Sequence, residues 1–116
     1  MKNLDDDALA LVAQYFAALA VPMRLKILNH LREGERNVGE LTAATGCTQA
    51  NVSKHLAVLA HSGLVAKTQR GTSAYYRFAN DSVYRLCDLV CDQLDRHFAQ
   101  EAERRRAFAG RARRRA

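Results

Sequence analysis

Glu40-Leu-Thr-Ala-Ala-Thr-Gly-Cys-Thr-Gln-Ala-Asn-Val-Ser-Lys-His-Leu56 holds two short helical patterns joined at a single glycine, Gly46. Just upstream, Asn37 followed by Glu40 has the spacing of a capping box, and Val38, Leu41 and Thr45 give the first pattern an inward side. Gly46 supplies the permissive backbone of a tight turn. Thr48 then caps a second helix on which Val52, Leu56 and Leu59 are spaced to dock on a core, leaving Ala50, Ser53, Lys54 and Ala57 on the opposite face. Two helices around so short a turn form a helix-turn-helix unit.

The flanks supply the rest of a small fold. After the Asp5-Asp6-Asp7 run, suited to the positive end of a helix, Leu9, Val12, Phe16 and Leu19 recur at helical spacing. A second helix opens near Pro22, carries Leu25, Ile27, Leu28 and Leu31, and stops at Gly34. Both read as core scaffold. Downstream of Gly63, residues 64–68 and 73–78 read as two strands around Gln69-Arg70-Gly71-Thr72, a β-hairpin with a basic tip. From Asp81 a long last helix carries Val83, Leu86, Cys87, Val90, Leu94 and Phe98 along one side, a stripe that needs a partner surface. The fold class is mainly α with a small β-hairpin.

A chain of 116 residues with 48% hydrophobic content supports one core. Its formal charge of +6 is unevenly placed, because seven arginines stand between Arg104 and Arg115. Without those seven, 11 of the 18 basic residues face 12 acidic ones over residues 1–103, so that part is near neutral. Residues 1–103 are therefore expected to form the domain, and 104–116 an Arg-rich tail expected to be disordered. That tail is either a solubilising end or an added electrostatic contact to DNA flanks. No stretch approaches the roughly 20 apolar residues of a membrane span. The acidic start differs from the basic n-region of a signal peptide, and three cysteines fit reduced thiols, so a cytoplasmic location is expected.

The major groove admits an α-helix, whose first residues approach base edges while its early N–H groups favour phosphate. Thr48, Gln49, Ala50, Asn51, Ser53 and Lys54 stand at that position. Gln and Asn pair with adenine edges, Lys with guanine or phosphate, and Ser with either, while alanine permits close approach. Asn51 reads equally as a helix-start residue. Arg70 is suited to a backbone or minor-groove contact, or to a solvated turn.

Ala18-Leu-Ala-Val-Pro-Met-Arg-Leu-Lys-Ile-Leu28, Val38-Gly-Glu-Leu41, Gln49-Ala-Asn-Val-Ser-Lys-His-Leu56, Ser62-Gly-Leu-Val65 and Arg70-Gly-Thr-Ser-Ala-Tyr-Tyr76 occur in order across roughly residues 8–98. Together they resemble the ArsR family of bacterial winged helix-turn-helix regulators. The resemblance implies a homodimer formed by the first and last helices, binding a double-stranded DNA operator without any membrane partner. It also implies repression relieved by a metal ion, a metalloid or another chemical signal, and no enzymatic activity. Two family inducer sites are not preserved. Thr42, Ala43 and Ala44 follow Glu40-Leu41 where thiol-type sensors carry a Cys-x-Cys pair, and Asn80, Ser82, Gln93 and Arg96 occupy the zinc-type positions of the last helix. Amide, hydroxyl and guanidinium groups make poor zinc ligands.

Cys87 and Cys91 remain, four residues apart and so one helical turn from each other. They suit a soft metal, an arsenite-like species or thiol modification, and equally the packing of small apolar residues. Cys47 reads as buried packing, and His55 as packed or hydrogen-bonded. His30, His61 and His97 have no companion at metal spacing and read as surface. Two alternatives from other classes are a small thiol redox protein using Cys87 and Cys91, and a protein-interaction module without operator binding. For the first of these, no Cys-x-x-Cys motif, Gly-rich phosphate loop or Cys with an evident local base supports catalysis.

Overall fold

In a computed structural model that describes residues 2–115, with side-chain surroundings given for 2–111, the chain divides after Asp81 into two units. The first holds α1 (Asp6–Leu19), α2 (Pro22–Leu31), β1 (Arg36–Asn37), α3 (Val38–Thr45), α4 (Gln49–His61), β2 (Val65–Arg70) and β3 (Ser73–Phe78). The second is the single helix α5 (Ser82–Arg115). No single helix among the described residues is long and apolar enough to cross a membrane.

Local chemistry sets the boundaries in the first unit. Asp5 accepts a bond from the Ala8 N–H at 2.8 Å, satisfying one of the orphan donors at the start of α1. Pro22 sits in the first turn of α2, where its missing N–H costs nothing. The capping box of α3 is complete: Asn37 Oδ1 accepts from the Glu40 N–H at 2.8 Å, and Glu40 Oε1 accepts from the Asn37 N–H at 3.1 Å. At the end of α4, Gly63 N–H donates to the Ala60 carbonyl and Leu64 N–H to that of Leu59, the paired bonds of a Schellman ending. Leu59 and Leu64 are both fully buried, the apolar contact that accompanies it.

The core lies where α2, α3, α4 and the hairpin meet. Ile27, Leu28 and Leu31 come from α2, Leu41 from α3, Val52, Leu56 and Leu59 from α4, and Leu64, Val65 and Tyr76 from the hairpin region. Each large aliphatic side chain so buried stabilises the fold by roughly 1.5–3 kcal/mol.

Four features of the architecture depart from the sequence expectations. In α1 only Ala18 is buried; of the stripe read as core scaffold, Leu9 and Phe16 are exposed and Val12 and Leu19 half-buried, so this chain covers only part of it. The hairpin is joined by a third, two-residue strand, giving the antiparallel order β1-β3-β2 with Arg36 opposite Tyr76. Its loop is only Gly71-Thr72, because Arg70 pairs with Ser73, and Gly71 takes φ +61 there. Finally, residues 104–115, expected to be disordered, continue α5 as helix, whereas Ala116 lies outside the described residues. Ala and Arg are among the strongest helix formers, and Glu101 pairs with Arg104 at 4.0 Å one turn away.

Candidate nucleic-acid interface

The turn that presents α4 is held from both sides. Gly46 adopts φ 71 and ψ 10, and its N–H donates to the Thr42 carbonyl at 3.1 Å, a left-handed ending for α3. The side chain of Thr45, buried, donates to the Leu41 carbonyl at 2.7 Å and accepts from the Cys47 N–H at 3.3 Å. From α2, Lys26 Nζ donates to the Thr45 carbonyl at 3.0 Å, satisfying one of the last open carbonyls of α3. Cys47 is half-buried rather than buried as expected, since it lies in the turn itself instead of under α4.

Thr48 starts α4, its hydroxyl accepting from the Asn51 N–H at 3.2 Å. Val52, Leu56 and Leu59 are fully buried, which fixes the rotation of the helix. Gln49, Ala50, Asn51, Ser53, Lys54 and Ala57 are consequently exposed. His55 falls at the border, half-buried, and its Nδ1 accepts from Arg24 Nε at 3.2 Å. A second nitrogen of the same guanidinium, Nη1, donates to the Ala18 carbonyl at 3.3 Å. Burial, then the neighbouring Arg24 and Lys54 cations, push the His55 pKa below its ordinary value, in keeping with a neutral ring that accepts at Nδ1.

The wing lies beside this face. A shallow cleft of about 330 Å³ is lined by Asn37 and Gly39 at the start of α3, Gln49 of α4, and Thr72 and Ser73 of the wing. Arg70, at the end of β2, is exposed but engaged: Nη2 lies 2.8 Å from Glu35 Oε2, and the guanidinium stands over the Tyr75 ring at 5.1 Å. Glu35, Arg24 and Tyr75 were not singled out from sequence. Glu35 meets Arg70 only because β1 pairs with β3, and a two-residue strand carries no periodic signal.

A model of bacterial regulatory proteins of the arsR family matches residues 22–67, from the start of α2 into β2. The transcriptional regulator NmtR of Mycobacterium tuberculosis is 42% identical over 85 residues, 73% of this chain and 71% of that protein. The chain belongs to the arsR family of bacterial transcriptional regulators. A second relative, the HTH-type transcriptional regulator Rv0324 of the same organism, is 42% identical over 91 residues; the match takes in 78% of this chain but 40% of Rv0324's length. The homodimeric winged helix-turn-helix DNA-binding domain of Mb0332 from Mycobacterium bovis, a fragment of residues 1–100, matches with a TM-score of 0.73 at 39% identity, covering 84% of this chain and 93% of the fragment. The arsR fold is thus a winged helix-turn-helix, with α3 and α4 as the two helices and β2 and β3 as the wing. ArsR-family proteins are regulators and not enzymes, which sets aside the thiol-enzyme alternative for Cys87 and Cys91.

Those two cysteines lie on α5, Cys87 half-buried and Cys91 exposed. Among the described residues, no three His, Cys, Asp or Glu side chains gather closely enough to hold a metal ion within one chain.

Proposed function

We propose that this arsR-family chain is a homodimeric, cytoplasmic repressor that reads a near-palindromic operator by laying α4 of each subunit in the major groove. The observation that supports this most is the clean division of α4, with Val52, Leu56 and Leu59 fully buried and Gln49, Ala50, Ser53 and Lys54 exposed on the other side. Gln49 and Ser53 carry the hydrogen-bonding groups for base edges, Lys54 the charge for guanine or phosphate, and Ala50 the close approach. Thr48 and Asn51 set the helix start, and Arg70 serves the wing contact. The dimer rests on the exposed Leu9, Leu11 and Phe16 of α1 and the exposed Leu89, Val90, Leu94 and Phe98 of α5, apolar surface of the kind that association covers.

Release is assigned to a soft metal ion, an arsenite-like species or a thiol-reactive signal at Cys87 and Cys91. Thiolates suit soft ions, and two donors per chain make a complete site only with donors from the partner subunit. The arginines of α5 from Arg104 onward add electrostatic contact to flanking DNA, so truncation after Glu103 lowers both affinity and its salt dependence.

The test is footprinting on the promoter of the protein's own operon in the presence of competitor duplex. Specific protection is expected, weakened by Lys54→Ala and altered in sequence preference by Gln49→Ala or Ser53→Ala. Equal binding to unrelated duplexes would refute the operator reading. Repeating the footprint with added metal, arsenite, oxidant or persulfide on the Cys87→Ser/Cys91→Ser double variant assigns the sensor. Release that survives in the variant would remove the cysteines from that role.

A further inference from the structure

Within the first unit the wing arginine is already satisfied by its own chain. Arg70 reaches Glu35 at 2.8 Å, its side chain 59% exposed against 24% for that of Glu35, and lies over the Tyr75 ring. The acceptor is therefore the sheltered partner and the guanidinium the accessible one. Carboxylate and phosphate offer a guanidinium the same kind of oxygen pair, so an incoming phosphate competes for the bond that Glu35 holds.

We propose that Glu35 is an internal stand-in for phosphate that withholds Arg70 from non-specific duplex, making Glu35 a specificity-determining positioning residue of the wing. The proposal rests on the DNA-reading function above. With Glu35 in place, the Glu35–Arg70 pair presents no net charge to a passing duplex. A loosely bound, non-specific duplex gains little by breaking it. A wing docked in register exchanges carboxylate for a phosphate held at the right place, so the ion pair penalises the wrong complex more than the right one. With its guanidinium largely in solvent, an ion pair of this kind contributes little to folding, which leaves recognition as its main effect.

The test compares Glu35→Gln with the wild-type full chain on a random-sequence duplex and on the footprinted promoter duplex, across a salt series. Glu35→Gln is expected to tighten binding to the random duplex more than to the promoter, and to steepen the salt dependence by about 0.9 per subunit, the value of one added phosphate contact. Between about 200 and 50 mM salt that slope enlarges its advantage on the random duplex by about 3.5-fold per subunit. Two controls separate this from net charge. Glu33→Gln removes a neighbouring carboxylate that is paired with Arg36 at 3.7 Å, and is expected to have the smaller effect. In an Arg70→Ala background, Glu35→Gln is expected to do nothing. Equal effects of the two glutamine variants, a persistent effect without Arg70, or weaker binding by Glu35→Gln would each overturn the proposal. If the wild-type chain binds neither duplex, DNA reading itself fails and this role with it; wild-type binding with an unchanged Glu35→Gln overturns only the role of Glu35.

Discussion

Replacing Gly46 by alanine tests the geometry of the turn with little else disturbed. A Cβ built at Gly46 meets no atom within 4 Å, so the substitution adds no steric clash. What remains is the backbone: at φ 71 the residue is left-handed, which costs an L-residue about 1–2 kcal/mol. Alanine also loses less conformational entropy on folding than glycine, offsetting about 0.4–1 kcal/mol. The expected net loss is therefore about 1 kcal/mol, roughly a fivefold fall in the folded-to-unfolded ratio. Urea unfolding followed by circular dichroism measures it, at one fixed protein concentration because association would itself move the midpoint. The midpoint should fall with an unchanged slope, and Gly46→Asn should lose less, since asparagine visits this conformation more readily. A loss beyond about 3 kcal/mol would mean the turn is crowded, and a gain would mean Gly46 is not left-handed; either refutes the reasoning.

Three further outcomes follow from the same region. Thr48→Ala should cost about 1 kcal/mol in the same urea assay by removing the cap on the Asn51 N–H, while Thr48→Ser should retain most of the stability. Leu56→Ala, at a fully buried position, should cost about 2–5 kcal/mol and abolish DNA binding wherever the fold is lost, as read by circular dichroism and footprinting together. His55 supplies a pH dependence. Because its pKa is lowered in the folded chain, the unfolded chain takes up the proton first, so the contribution is present above the ordinary value of 6.5 and is lost as pH falls below it. Urea midpoints measured from neutral to mildly acidic pH should decline less steeply for His55→Gln, and identical profiles would remove His55 from the account.

The elements that carry a period or a cap are legible in the sequence itself. Asn37 and Glu40 announce the start of α3, Gly46 its end, and Val52, Leu56 and Leu59 the buried side of α4. β1 was not readable, because Arg36 and Asn37 pair with residues about 40 positions away and two residues show no alternation. The charge of residues 104–115 pointed to disorder, while the helix propensity of Ala and Arg in the same residues favours helix. In α1 the period was right but this chain covers only part of the stripe: spacing shows that one side is apolar, not whether the surface covering it belongs to the same chain. At the candidate interface, exposure on α4 follows directly from the apolar spacing. The engagement of Arg70 by Glu35 depends on the pairing of β1 and so could not be seen.

Arg24 acts as a three-way joint. One planar group, carried by α2, meets the last turn of α1 through Nη1 and α4 through Nε, with the angle between those two donors fixed by bonding rather than by rotation. A lysine at this position would keep the charge but lose the template, since a single ammonium on a flexible stem cannot hold two separated acceptors at a set angle. The tilt of α4 is thus gauged against the end of α1 by a rigid square-edge, and even the mildest replacement of that arginine hands that orientation to the packing of Val52, Leu56 and Leu59 alone.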